Sequence, residues 1–265
     1  MSAPQEVFSR RFGRGPRHVL AVHCSLAHSG AWRGLAEVMA EAITLTAFDM
    51  LSHGRSPDWD GQGNYQLRNA AAGLGLLTEP ADLLGHSFGA TVALRMAMAR
   101  PHLVRSLTLI EPVLFAAAGT ENRDALAAME AESRPVDAAL EAGDMELATR
   151  LFNRMWGTGS PKWPDLPDQA RAAMVRAMPV IPASYPTLHR DENGTLAQGA
   201  LDPVSMPALL LTGADSPPVM EAVARGLTRR LACGRYRQVP GAAHMLPVTH
   251  PAETADLLRR FWEQA

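Results

Sequence analysis

The sequence predicts an α/β protein with a mostly parallel central sheet flanked by helices on both faces. Three observations predict it. Short apolar runs recur near residues 18–24, 43–48, 81–85, 104–112 and 207–213, and a more polar one, RYRQVPG, follows at 235–241. Stretches of helical spacing separate most of them, and such alternation builds parallel sheets. Most of the runs are continuously apolar rather than alternating, the mark of strands covered on both faces.

In chain order, "HVLAVHC" (18–24) is apolar and ends in small and polar residues, so it predicts a buried strand. Helical spacing follows over 32–39. "ITLTAF" (43–48) is rich in β-branched residues and predicts a second strand. It runs into "DMLSHGRSPDWDGQG", whose Gly, Pro and Asp predict a long loop. A helix is predicted over 70–77, a strand over 81–85, and an Ala/Met/Leu helix over 88–99, stopped by Pro101. "VRSLTLIEP" (104–112) predicts the next strand. "PALLLTG" (207–213), a helix over 219–231, "RYRQVPG" (235–241) and a last helix over 252–262 complete the pattern.

The alternation breaks between Val113 and Ser205. That segment shows no buried strand; it is rich in Ala, Met, Glu and Arg, then in Pro and Trp. It predicts several helices joined by Pro-punctuated turns, and is too long for a loop. The chain thus divides into a core, 1–112 and 206–265, and an inserted helical unit, 113–205.

Composition narrows the function classes. The 265 residues carry a net charge of -2 with no Lys/Arg stripe, which argues against nucleic acid or an anionic membrane as partner. Two cysteines, Cys24 and Cys233, are too few for a disulfide framework and suit a reducing compartment. The N-terminal "MSAPQEVFSRRFGRGPR" has no signal-peptide apolar run, and no stretch is apolar enough to span a bilayer. The expectation is a cytoplasmic protein acting on a small molecule. No metal-ligand spacing or phosphate-binding glycine loop occurs, so no cofactor is expected. Oligomeric state is not readable.

The chemistry begins at "LLGHSFGAT". Gly85-His86-Ser87-Phe88-Gly89 fits Gly-x-Ser-x-Gly between a strand and a helix, the context of a serine nucleophile on a strained turn. Side chains at either glycine would crowd neighbouring backbone. The amides that open the following helix favour negative charge near Ser87. A serine needs a base. His244, in "VPGAAHMLPVTHP", lies between the last strand and the last helix and suits the order serine, acid, histidine. His250 reads as a surface or capping residue, and His86 cannot easily reach the serine within a tight turn. For an oxyanion hole, the Phe88 amide is one donor and the Ser25 amide, in "HCSLAHSGAW", the other. Cys24 beside it reads as a small packing residue.

These motifs together resemble the α/β-hydrolase superfamily, from about Val19 to Trp262. "HCSLAHSGAW" is similar to its oxyanion loop, with Cys24 in place of a glycine. "FDMLSHGRS" is similar to its D-x-x-G-x-G-x-S loop, with Ser52 in place of a glycine. "LLGHSFGA" resembles the nucleophile elbow and "VPGAAHMLPVTHP" the histidine loop. The resemblance implies that 113–205 is a helical cap over the active site. It also implies a triad acid, commonly at Gly-x-x-Asp after the strand ending at Gly213. Here Asp215 falls one residue early and Ser216 stands in the expected place. Certain relatives carry the acid after the preceding strand, where Glu111 stands. Asp215 also reads as a turn or capping residue, and Glu111 as a partly solvated strand end. Both acids stay open, with a slight lean to Glu111.

The implied function is a serine esterase or lactonase acting through an acyl-enzyme on a small, hydrophobic ester. Thioesterase, carbon–carbon bond hydrolase and cofactor-free haloperoxidase-like activities share the same triad. A small-molecule receptor on a hydrolase scaffold is the alternative of another class. Haloalkane dehalogenases and epoxide hydrolases are disfavoured, because those relatives use aspartate at the Ser87 position. Met155, Phe152, Trp156 and Trp163 form an aromatic and Met cluster in the insertion, expected mostly as its own core. Trp156, Trp163 and Trp32 are the candidates to line a pocket.

Overall fold

The computed structural model describes residues 6–159 and 161–264. The first five residues of the N-terminal segment, Ser160 in the Pro- and Trp-rich stretch, and Ala265 lie outside them. Seven strands form one sheet in the order β1-β3-β2-β4-β5-β6-β7. They are β1 Ser9–Gly13, β2 Arg17–Val22, β3 Ile43–Phe48, β4 Ala81–His86, β5 Val104–Ile110, β6 Ala208–Gly213 and β7 Gly234–Val239. β2 to β7 are parallel, and β1 alone runs antiparallel, against β3. β1 was not expected. Its sequence, SRRFG, has one large apolar residue and reads as polar, because it is a half-exposed edge strand.

The helices of the core are α1 Arg33–Val38, α2 Tyr65–Leu76, α3 Phe88–Ala99, α8 Pro218–Thr228, the short α9 Leu246–Thr249 and α10 Pro251–Trp262. Strand residues alternate between two apolar layers. Val19, Ala21, Leu84, Leu209 and Leu211 pack with α1 and α10, whereas Leu20, Val22, Leu83 and Leu210 pack with α2, α3 and α8. Each fully buried leucine stabilises the fold by about 1.5–3 kcal/mol. Both faces are covered over β3 to β6, so these strands have no solvated face to mark with polar residues; the edge strand β7 is partly exposed and carries Arg235, Arg237 and Gln238 outward.

Between β5 and β6 lie α4 Arg123–Glu141, α5 Met145–Trp156, α6 Asp168–Ala177 and α7 Val180–Arg190, with no strand among the described residues of 113–205. α4 and α5 pack on one another. Pro135 and Pro186 lie inside α4 and α7 rather than at turns, each removing one donor from the helix ladder. Asn64 caps α2 by accepting from the Leu67 amide (3.1 Å) and also donates to Thr187 Oγ1 (2.8 Å), which ties α7 to the core.

Candidate active site

Ser87 stands between β4 and α3 with φ 57° and ψ -120°, a conformation that a side chain rarely adopts without enforcement. The enforcement is backbone. The Ser87 amide donates to the Ile110 carbonyl at 2.8 Å. A Cβ on Gly85 would stand 2.5 Å from Ala90 Cα and from the Gly89 carbonyl oxygen. A Cβ on Gly89 would stand 2.3 Å from the His23 carbonyl oxygen and 2.4 Å from that of Val22. Gly85 therefore lets the strand end lie against the first turn of α3, and Gly89 lets that turn lie against the end of β2.

His244, in the loop after β7, faces the serine: its Nε2 is 3.0 Å from Ser87 Oγ. Its Nδ1 is 3.0 Å from Glu111 Oε2. Both side chains are almost fully buried, at 6% and 0% exposure. Glu111 follows β5 with φ 50°, and its amide donates to the Leu211 carbonyl at 2.8 Å. Its other oxygen, Oε1, accepts from the Gly213 amide (2.6 Å) and from Ser216 Oγ (2.7 Å). A buried carboxylate is costly unless its lone pairs are met, and here three donors meet them. An ionised carboxylate only accepts, so the Nδ1 proton faces Glu111 and the Nε2 lone pair faces the serine. Asp215 is exposed, and its amide donates to the Ala242 carbonyl at 2.9 Å. The structure brings together Ser87, His244 and Glu111; it does not bring Asp215 to the imidazole.

Ser25, Phe88, Ser87 and His244 border one cavity of about 350 Å³. The Ser25 loop is held by two buried histidines. His23 Nδ1 donates to the Cys24 carbonyl (2.7 Å) and its Nε2 accepts from the Met50 amide (2.9 Å). His53 Nε2 accepts from the amide of Leu26 (3.0 Å), a residue held at φ 60°. Each acceptor role needs a neutral ring. Burial first, then mutual charge, pushes His23 down to about 3, and burial pushes His53 down to about 4. His86 Nε2 donates to the His244 carbonyl at 2.8 Å, away from Ser87. Burial, and then the His244 charge, pushes His86 down to about 3. Burial pushes the Cys24 thiol up to about 12, so it is not a thiolate nucleophile. Ser52 takes φ 65°, the region that glycine favours, while its Oγ accepts from the Trp59 amide at 3.0 Å.

The rest of the cavity wall is mainly apolar, from Leu26, Val113, Phe115, Ile181 and Leu188. Phe152, Met155 and Trp156 of α5 reach it, and the Trp156 ring lies 4.7 Å from that of His244. Two pocket candidates are corrected. Trp32 is 1% exposed and belongs to the core layer under α1, because its helix turns that side chain onto the sheet. Trp163 opens a short 3-10 turn before α6 and is not among the lining residues. His23, His53 and Ser216 were missed as site residues. The spacing of the motifs marked their loops, but nothing in the sequence gives the side-chain directions. Among the described residues no group of three or more His, Cys, Asp or Glu could hold a metal ion, and no helix is long and apolar enough to cross a membrane.

Residues 19–257 match the model of the Alpha/beta hydrolase family. The chain is 29% identical to lipase LipV of Mycobacterium tuberculosis, over 94% of this chain and 95% of that protein. It is 30% identical to the pimeloyl-[acyl-carrier protein] methyl ester esterase of Methylococcus capsulatus, over 96% of this chain and 98% of that one. The solved enol-lactonase from Burkholderia xenovorans shares the fold at a TM-score of 0.71 and 13% identity, covering 97% of this chain and 96% of that one.

Proposed function

The chain belongs to the alpha/beta hydrolase family, and from that premise we propose that it hydrolyses a small, predominantly apolar carboxylic ester through Ser87, His244 and Glu111. The observation that carries this is the run of hydrogen bonds from Ser87 Oγ through both imidazole nitrogens to Glu111 Oε2, at the wall of an apolar cavity. Ser87 Oγ attacks the ester carbonyl while His244 Nε2 takes its proton. Glu111 faces the imidazolium that forms and stays ionised. The tetrahedral oxyanion sits between the Phe88 and Ser25 amides. Its collapse expels the alcohol, protonated from Nε2, and leaves an acyl-serine. A water, deprotonated by the same nitrogen, attacks the acyl carbon, releases the acid and restores the serine.

The helices of 113–205 act as a cap, with α5 supplying Trp156, Phe152 and Met155 to the pocket. The ester named by the Methylococcus relative and the lactone named by the Burkholderia structure are both acyl–oxygen substrates that this relay can open. The pocket favours a small or slender apolar acyl group over a sugar or a strongly charged one.

The test is turnover of p-nitrophenyl butyrate together with labelling by a fluorophosphonate. The parent labels on Ser87 and turns over. Ser87→Ala does neither, and Glu111→Gln loses several orders of magnitude in kcat while Asp215→Asn keeps it. Turnover by Ser87→Ala would refute the proposal. A parallel panel of lactones and thioesters orders the substrate classes.

A further inference from the structure

The loop after β6 contributes no carboxylate to His244, yet it touches both Glu111 and the segment that carries His244. The Gly213 amide and Ser216 Oγ both donate to Glu111 Oε1, at 2.6 and 2.7 Å. On its other side the loop is bonded to the segment that carries the base. The Ala214 amide donates to the Val239 carbonyl and the Asp215 amide to the Ala242 carbonyl, each at 2.9 Å. A Cβ on Gly213 would stand 2.1 Å from the Ala242 carbonyl oxygen, so the two loops lie against one another with no room between them. The loop itself is closed by the Ser216 amide donating to the Gly213 carbonyl at 3.3 Å.

A glutamate carboxylate turns about a broad, twofold torsion. That torsion alone does not fix the plane of the carboxylate relative to the imidazole. Two donors converging on one oxygen, Oε1, do fix that plane, and so aim the other oxygen at His244. Of the two, the Gly213 amide is fixed by the sheet; the Ser216 hydroxyl is the one that a side-chain change removes. We propose that Ser216 is a positioning residue, whose hydroxyl and the Gly213 amide together clamp Glu111 Oε1 and so hold Oε2 on His244 Nδ1. The inference rests on Glu111 being the acid of the relay. Ser216 touches neither substrate nor the reacting atoms; it acts through Glu111 alone.

That last property makes the inference testable apart from folding. Turnover of p-nitrophenyl butyrate is measured for Ser216→Ala, Ser216→Thr, Glu111→Gln and Glu111→Gln/Ser216→Ala, each first shown to be folded by its thermal transition. Removing one donor from a buried anion lowers kcat by about ten- to a hundredfold in Ser216→Ala, with KM unchanged. Ser216→Thr keeps the hydroxyl and restores most of the loss. In the Glu111→Gln background the added Ser216→Ala change costs little, because the group it positions is gone. A parent-like kcat in Ser216→Ala overturns the inference. So does a Thr variant as slow as the Ala one, or a double variant in which the two losses multiply. If Glu111→Gln itself keeps parent activity, the acid assignment falls and this inference with it; if only Ser216→Ala keeps it, the acid assignment stands.

Discussion

The indole of Trp156 lies 4.7 Å from the imidazole of His244, ring centroid to ring centroid, at a tilt of 54°. The same indole meets Phe115 at 6.2 Å and Phe152 at 6.5 Å. The last turn of α5 is thus built against the imidazole that faces Ser87. In the proposed reaction this imidazole becomes a cation, and an aromatic neighbour favours the cation over the neutral ring. Trp156→Leu removes that preference and lowers kcat by about fivefold, an interaction on the order of 1 kcal/mol. Trp156→Phe keeps a ring face and loses less. Steady-state turnover of p-nitrophenyl butyrate by the three proteins checks the order; equal kcat values would show that Trp156 only fills space.

This contact also shows where the sequence stops being informative. The elbow was legible at Gly85 to Gly89, because backbone sterics there admit few residues and leave a local pattern. His244 was legible for a similar reason, since its loop closes the last strand. Glu111 and Asp215 could not be separated. The choice between them depends on whether a side chain turns toward His244 across two strands, and composition at a strand end carries no such direction. Trp32 and Trp156 were equivalent as letters. One faces the sheet and the other the cavity, and only packing between elements distant in sequence decides that. The edge strand β1 hid because an exposed strand needs no apolar run.

The glycines of the elbow give a contrast in stability. A Cβ on Gly89 meets two carbonyl oxygens at 2.3 and 2.4 Å, both backbone atoms at the end of β2 that cannot step aside. Gly89→Ala forces the turn and β2 apart and costs more than about 2 kcal/mol, in the range of overpacked cores. Gly75, inside α2, has nothing within 4 Å of its Cβ position. Gly75→Ala gains about 0.5–1 kcal/mol from helix propensity. Urea denaturation of the two variants beside the parent checks both signs, and a stable Gly89→Ala would contradict the close approach.

Arg176 of α6 joins the inserted helices to the loop that follows β3. Its guanidinium donates to Asp58 Oδ1 (2.8 Å), to the Gly54 carbonyl (3.1 Å) and to the Ser56 carbonyl (2.9 Å). Three acceptors around one planar fork suit arginine and not lysine, whose single ammonium cannot reach them together. Arg176→Lys is therefore expected to behave like Arg176→Ala. Both should loosen α6 and speed limited proteolysis between α5 and α7, with global stability nearly unchanged, because the site is partly exposed and such pairs contribute little there. A lysine variant as resistant as the parent would show that charge alone holds the contact.

The buried histidines make stability depend on pH with a defined sign. His23, His53 and His86 have an ordinary value of 6.5 and are pushed down to about 3, 4 and 3 in the fold, chiefly by burial. Well above 6.5 all three are neutral in both states and contribute no slope. Between 6.5 and about 4 the unfolded chain takes up their protons and the folded chain does not. Stability therefore falls as pH falls through this window, by up to ~1.4 kcal/mol per pH unit for each histidine. His53→Gln removes one of the three protons from that difference while leaving an acceptor near the Leu26 amide. Its unfolding free energy, measured in urea from pH 7.5 to 4.5, should decline less steeply than the parent's by about one histidine's share. Carboxylates contribute equally to both slopes, so the difference between them isolates His53. Identical slopes would mean that His53 is protonated inside the fold, and that the Leu26 amide has lost the acceptor that holds the Ser25 loop.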